Sequence, residues 1–133
     1  MTRLDCKLDD AVEFIDLFAL GEPFEKRMSE LVGSSDWVTA FRARLLVELV
    51  GLLRASGSQP RIYATLHGDE IWLSGKRRWA KVKIDWFDRA PLVNGMPNAH
   101  YRIEIHADRK LLREERAATK EEAALLLCQC LPV

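Results

Sequence analysis

The stretch SDWVTAFRARLLVELVGLLR, residues 35–54, is the longest run with an apolar helical period in the chain. On a helical wheel its large apolar side chains form one stripe with i, i+3, i+4 spacing, and Leu46 and Leu53 lie beside that stripe. The stripe consists of Val38, Phe41, Leu45, Leu49 and Leu52. Ser35 is the predicted N-cap. The opposite side is only half polar, so the pattern predicts a core helix that is covered on more than one side.

Two shorter helical patterns precede this helix. The first covers residues 10–20, begins with a capping-box-like Asp10 and ends at Gly21. Its apolar positions are Val12, Phe14, Ile15, Phe18 and Ala19. The second covers residues 23–32, where Pro23 suits the first helical turn. Because the connections are very short, the sequence predicts three N-terminal helices that fold back on each other.

From residue 61 onward the apolar period changes from 3.6 to two, which is typical of strands. The clearest strand is predicted for residues 78–87, where Ala80 and Val82 alternate with Trp79 and Lys81. The other predicted strands are residues 61–67, 71–74, 100–107 and 111–116. A long loop is predicted for residues 88–99.

Thr119 and Glu122 form a capping box at the start of a last helix, residues 123–131, which is apolar nearly all round. The sequence therefore predicts a single α+β domain over residues 1–133. Its expected parts are three N-terminal helices, an antiparallel meander of four to five strands and a C-terminal helix, with the helices packed on one sheet face.

The composition of the chain limits which functions and which cellular compartment are expected. The 133 residues include 20 Lys and Arg and 20 Asp and Glu, so no global field attracts nucleic acid or an acidic substrate. Three cysteines without a C-x-x-C pair favour a reducing compartment. The N-terminus has no signal-peptide core, and the long apolar helix contains Arg42, Arg44 and Glu48. We therefore expect a soluble, cytoplasmic protein of a size common in bacteria.

Arg42 is the one charge in the apolar part of the long helix. Its guanidinium reaches water while its methylenes pack on the core, or it is buried against a carboxylate, or it belongs to a functional site. The carboxylates considered are Glu13, Asp16 and Asp85.

Catalytic and metal-binding patterns are weak. Cys128 and Cys130 lie about 200° apart on the predicted last helix, so they cannot share one ion. Glu104 and His106 share a strand face about 7 Å apart and could meet one ligand. No P-loop, nucleophile-elbow or zinc-protease motif occurs in the sequence. Asp85, Asp88, Glu104 and His106 are the acid–base candidates, and a solvated sheet face explains them more simply. We therefore expect no enzyme, no cofactor and no metal.

One alternative is nucleic-acid binding by a basic strand face. The candidate residues are Lys76, Arg77, Arg78, Lys81, Lys83 and Arg102. The strand–turn–strand pattern followed by residues 119–123 resembles the three-stranded domains of plant ethylene-response factors and of the arm-binding domain of phage-type integrases. The resemblance covers about residues 76–127 and implies that the sheet reads DNA. The loop 88–99, the preceding helices and the zero net charge differ from that pattern.

The preferred hypothesis is a protein-binding module that uses the sheet face opposite the helices, together with the loop 88–99. The candidate partner-binding residues are Tyr63, Trp72, Trp79, Lys81, Lys83, Arg102, Glu104 and His106. Size and layout suggest an inhibitor, an immunity protein or an antitoxin, by analogy alone. Trp79 is expected to be accessible on this face. If it were buried in the core, the assigned register of residues 78–87 would be wrong by one residue.

Overall fold

The computed structural model describes residues 21–57, 60–65, 70–75, 77–86 and 99–131. These residues form six strands and three helices. The strands are β1 (Gly21–Pro23), β2 (Ile62–Thr65), β3 (Glu70–Ser74), β4 (Trp79–Trp86), β5 (Ala99–Ala107) and β6 (Lys110–Ala117). The helices are α1 (Phe24–Val32), α2 (Trp37–Ala55) and α3 (Lys120–Cys130).

The six described strands form one sheet in the order β1-β2-β3-β4-β5-β6, and every neighbouring pair is antiparallel. The β5–β6 turn has two residues, Asp108 and Arg109, with φ values of 53° and 61°. Positive φ at both positions is the backbone of the turn that matches the twist of a hairpin. The α+β class and the antiparallel meander are therefore confirmed, with β1 as an additional strand at one edge.

The N-terminal prediction is only partly correct. Helices α1 and α2 correspond to the second and third predicted helices, whereas the first, residues 10–20, lies outside the described residues. The prediction of three N-terminal helices therefore does not fit the described chain. Gly21–Pro23, expected to end one helix and begin the next, instead forms β1, with Pro23 opposite Tyr63. Because β1 lies at the edge of the described sheet, the missing N–H of Pro23 is tolerated there.

Helix α2 faces the sheet with a side that differs from the predicted one. Its buried side chains are Ala40, Ala43, Leu46, Leu49, Val50 and Leu53. Within the predicted stripe only Leu49 is buried, and the other four side chains are half-buried. The buried side is rotated by about a third of a turn, because two alanines contribute to it without large side chains. The N-cap is Asp36 rather than Ser35, and its carboxylate accepts from the Val38 backbone N–H at 3.2 Å.

The helices pack on one face of the sheet, which we call the inner face. Its buried side chains from β2 to β5 are Ile62, Ala64, Ile71, Leu73, Ala80, Val82, Ile84, Tyr101, Ile103 and Ile105. Tyr101 donates its hydroxyl to the Leu45 carbonyl at 2.9 Å and so ties β5 to α2. Burial raises the pKa of this phenol, with a further contribution from the Glu48 charge. The register predicted for β4 is correct, since Ala80 and Val82 face the helices.

The start of α3 has the predicted capping box. Thr119 Oγ1 accepts from the Glu122 backbone N–H at 3.2 Å, and Glu122 Oε2 accepts from the Ala118 N–H at 3.1 Å. Two N–H groups at the helix start are thereby satisfied. The last helix is thus held at the end of β6, where its buried side packs on the inner face.

Arg42 is half-buried, and its Nε has no hydrogen-bond partner. Asp85, one predicted partner, lies on the other sheet face and approaches Arg102 and Arg116 instead. That pairing is therefore wrong. The other two candidates, Glu13 and Asp16, lie outside the described residues, and the snorkelling interpretation stays a prediction.

Candidate functional site

The sheet face turned away from the helices, which we call the outer face, gathers most of the predicted site residues. Cross-strand register places them in rows. One row joins Trp79 on β4 to His106 on β5, and the next joins Trp72, Lys81 and Glu104 across β3, β4 and β5. The complete predicted partner-binding set, namely Tyr63, Trp72, Trp79, Lys81, Lys83, Arg102, Glu104 and His106, lies on this face. The loop 88–99, predicted to extend the surface, is described only at Ala99.

Three aromatic side chains form a cluster at the β2–β4 side of the outer face. Trp72 and Trp79 are its buried members, and Tyr63 packs against them half-buried. Trp72 is 4% exposed and Trp79 is 6% exposed. The prediction that Trp79 is solvent-accessible is therefore wrong. The stated condition for a shifted register, burial of Trp79 in the core, is not met, because this aromatic cluster is separate from the core under the helices.

A second group of contacts continues from the aromatic cluster onto β5. The Trp79 and His106 rings stack with centroids 4.1 Å apart and planes 6° apart. His106 Nε2 lies 2.9 Å from Glu104 Oε1, and Lys81 Nζ lies 3.5 Å from the same oxygen. These contacts follow from register, because Trp79 is opposite His106 and Lys81 is opposite Glu104. Glu104 and His106, predicted to meet one ligand, instead contact each other.

The fold alters the ionisation of Glu104 on the outer face. Burial raises its pKa, but the hydrogen bond from His106 and the charge of Lys81 outweigh burial, so that the pKa lies below its usual value. The carboxylate is therefore held in its charged form. A fixed charge of this kind defines orientation at a binding surface.

A second ionic group lies further along the same face. Asp85 Oδ1 is 3.8 Å from Arg102 Nε, and Asp85 Oδ2 is 3.7 Å from Arg116 Nε. Arg102 and Arg116 are directly opposite each other on β5 and β6, so Asp85 lies between two cations that would otherwise repel. Asp85 was predicted as an acid–base candidate, and here it neutralises charge.

The charges of the outer face balance among the described residues. Its cations are Lys81, Lys83, Arg102 and Arg116, and its carboxylates are Glu70, Asp85, Glu104 and Glu114. Arg78 lies at the other side of the strand and donates to the Cys130 carbonyl at 3.3 Å. Arg77 is exposed in the β3–β4 turn, and Lys76 lies outside the described residues. The residues predicted to bind nucleic acid therefore do not form one basic surface.

Two indole donors on the outer face lack acceptors. Trp72 Nε1 and Trp79 Nε1 are buried and have no hydrogen-bond partner. A buried N–H without an acceptor is unfavourable, and such groups in a folded protein require an explanation. Sequence reasoning missed both, since alternation gives the face of a strand residue but not what lies above it.

Metal and thiol chemistry find little support in the described residues. No group of three or more His, Cys, Asp or Glu side chains there could hold a metal ion. Cys130 is buried with its Sγ 3.1 Å from an Arg113 nitrogen, and Cys128 is exposed with its Sγ 3.7 Å from Ser56 Oγ. The two thiols thus have separate surroundings. None of the three described helices combines the length and apolarity that a membrane span needs.

No protein-family model matches the chain, and comparisons with curated proteins and with solved structures find no significant match. A functional proposal therefore depends on the geometry of the outer face.

Proposed function

We propose that this chain is a non-enzymatic protein-binding module, an inhibitor, immunity or antitoxin-type partner of another protein, acting in the cytoplasm. The observation that carries the proposal is the outer face, where charged side chains are held in pairs beside an aromatic cluster. No helix of the described residues covers this face.

Pre-organisation supports protein binding. Lys81, Glu104 and His106 restrain one another, so little side-chain entropy remains to be lost when a partner docks. Lys81 and Arg102 each keep 29% of the side chain exposed and can still reach a partner. Arginine and tyrosine are enriched at interface centres. The buried Trp72 and Trp79 side chains hold Tyr63 and His106 in place through packing and ring stacking.

Binding is preferred over catalysis because of how the acid–base candidates are engaged. Glu104 and His106 contact each other, and Lys81 also approaches the Glu104 carboxylate. Asp85 faces two arginines. Groups engaged in this way stabilise charge on the surface, whereas a general base needs access to a substrate proton.

Nucleic-acid binding is the alternative, and the balanced charges of the outer face argue against it. A phosphate backbone requires uncompensated cations, because affinity arises from counterion release. On the outer face Lys81 approaches Glu104, and Arg102 approaches Asp85. Lys83 is directly opposite Glu70 on β3.

The test is co-expression of the full chain with the products of its adjacent reading frames, followed by co-purification. Lys81→Glu/Arg102→Glu should abolish recovery of the partner. Lys26→Glu/Arg44→Glu, which makes the same change of charge at exposed positions of α1 and α2, should leave recovery unchanged. Circular dichroism of each variant separates loss of binding from loss of folding. Equal loss in both folded variants, or in neither, would exclude the outer face as the binding surface.

A further inference from the structure

Strand β6 is the edge of the described sheet opposite to β1, and its side chains lie mostly in water. Leu111 and Leu112 are 50% and 48% exposed. Arg113 and Glu115 are opposite inner-face residues of β5, yet their side chains are 47% and 40% exposed, so the described helices do not fully cover this strand. An edge strand directs alternate backbone N–H and C=O groups away from its neighbour, which makes it a template for a further strand.

The charges of β6 indicate which strand could pair with it. Charged side chains ordinarily protect an edge from pairing. In β6, however, residues 113–116 read Arg-Glu-Glu-Arg, so cations and carboxylates are present in equal number and in the same order from either end. We propose that the chain forms a homodimer in which β6 pairs antiparallel with β6 of a second copy.

The face of each side chain limits the register of this pair, because directly opposite residues of antiparallel strands point to the same face. Arg113, Glu115 and Ala117 lie on the inner face, so Arg113 must be opposite one of these in the second copy. Opposite Arg113 it meets a like charge, and opposite Ala117 it leaves Leu112 beyond the end of the second strand. Opposite Glu115 it forms an ion pair on each side of the dimer axis. Leu112 is then opposite Arg116 of the second copy, whose methylenes can cover it.

This register builds a charge network on the inner face. Within one copy, Arg113 Nε donates to Glu115 Oε1 at 2.7 Å. Pairing places Glu115 of the second copy beside Arg113, and Arg113 of the second copy beside Glu115. The four charges then alternate in sign around a square, so that each cation has two carboxylate neighbours. On the outer face the same register brings Glu114 directly opposite Glu114 of the second copy, and this like-charge contact is the unfavourable part of the interface.

Edge pairing leaves both faces of the sheet open, so the inference goes beyond the proposed binding of another protein and does not depend on it. Antiparallel copies that keep the same face on the same side are related by a two-fold axis perpendicular to the sheet. The two outer faces therefore lie side by side, and each can bind its own partner molecule.

Sedimentation equilibrium of the purified full chain, with no other protein present, tests for the dimer. A single strand pair is a small interface and is expected to be weak, so the chain is measured from about 10 µM to about 1 mM. A concentration-dependent monomer–dimer equilibrium is expected. A monomer at every concentration would overturn the proposal.

Complementary charge reversals show whether β6 is the interface. Arg113→Glu alone places carboxylates opposite each other, and Glu115→Arg alone places guanidinium groups opposite each other, so each variant should dimerise at least about tenfold more weakly. An equimolar mixture of the two variants restores opposite charges and should associate like the natural chain. Glu30→Arg, which breaks the exposed Arg27–Glu30 pair on α1, is the matched control and should dimerise normally. With folding checked by circular dichroism, dimerisation that neither reversal weakens, or that the mixture does not recover, contradicts the proposal.

Glu114→Gln tests the register. The substitution removes the like-charge contact at the dimer axis and should strengthen dimerisation by about two- to fivefold. A register with Glu115 at the axis would instead pair Glu114 with Arg116 of the second copy, and the same substitution would then weaken dimerisation. An unchanged or weaker dimer would therefore overturn the register on which the proposal depends.

Discussion

The inner and outer faces of the sheet are made by alternate residues of the same strands, yet different interactions hold them. On the inner face of β4 and β5, Val82 and Ile103 are at most 1% exposed and pack among aliphatic side chains. One residue further along, Lys81 and Glu104 are opposite each other and form an ion pair. Period-two alternation thus separates two kinds of stabilisation, removal from water on one side and paired charge on the other. Substitutions on the two faces test that separation.

The largest difference should appear between neighbouring residues of β5. Ile103→Ala removes a fully buried side chain under the helices and should cost about 2–5 kcal/mol of unfolding free energy. Arg102→Ala, the matched control one residue away, should cost less than about 1 kcal/mol, since its ion pair is long and partly exposed. Denaturant unfolding measures both. A cost for Ile103→Ala below about 0.5 kcal/mol would show that the faces are assigned the wrong way round.

The aromatic cluster is the exception on the outer face, because it is buried like a core. Trp79→Ala should therefore destabilise by about 3 kcal/mol, within the usual range for a buried tryptophan. Trp79→Phe keeps most of the ring and removes an N–H that has no acceptor, so it should cost less than about 1.5 kcal/mol. Chemical denaturation of both variants checks this. Equal, negligible costs would mean that Trp79 is solvated.

Glu104 should make stability depend on pH. Its pKa in the folded state lies below the ordinary value of 4.5, so its contribution is fully present above about pH 4.5 and is lost as pH falls through the folded pKa. Glu104→Gln should destabilise at neutral pH by about 1 kcal/mol or less. The variant should also lose less stability than the natural chain between pH 5 and pH 3, because it lacks the one carboxylate whose protonation is coupled to unfolding there. Urea titrations across that range measure the difference, and parallel profiles would contradict it.

Arg42 should show the smallest effect. Arg42→Met keeps most of the stem that packs on the core and removes the charge, so the free energy of unfolding should change by less than about 0.5 kcal/mol. Arg42→Ala also removes the stem and should cost about 0.5–1 kcal/mol. A loss of unfolding free energy on the order of 3 kcal/mol for Arg42→Met would instead show that the substitution leaves a buried carboxylate without its partner.

Much of the fold is predictable from local pattern. Strands β2–β6, the inward side of β4 and the Thr119 capping box all follow from alternation and short-range hydrogen bonding. Strand β1 is not predictable in this way, because three residues containing Gly and Pro have little strand propensity and form a strand by pairing with β2. The buried side of α2 is also missed, since alanines at a close contact carry little weight on a hydrophobic wheel.

The sequence predicts which residues belong to the site, but it predicts their burial and their ion pairing less well. Alternation places Lys81, Glu104 and His106 on one face, and register then makes them neighbours. The burial of Trp72 and Trp79 involves neighbours on other strands, such as Tyr63 and His106, which no local pattern encodes. The pairing of Asp85 with Arg102 and Arg116 similarly requires the order of three strands.

We propose that the outer face binds a protein and not a phosphate backbone. The most direct measurement is the affinity of the full chain for its co-purified partner and for random-sequence duplex DNA, at about 50 mM and about 200 mM salt. The balanced charges predict a partner affinity that changes by less than about tenfold over this range, with DNA binding too weak to detect at the higher salt. DNA binding that is tight at low salt, falls about a thousandfold over the range and is lost in Lys81→Glu/Arg102→Glu would contradict the account.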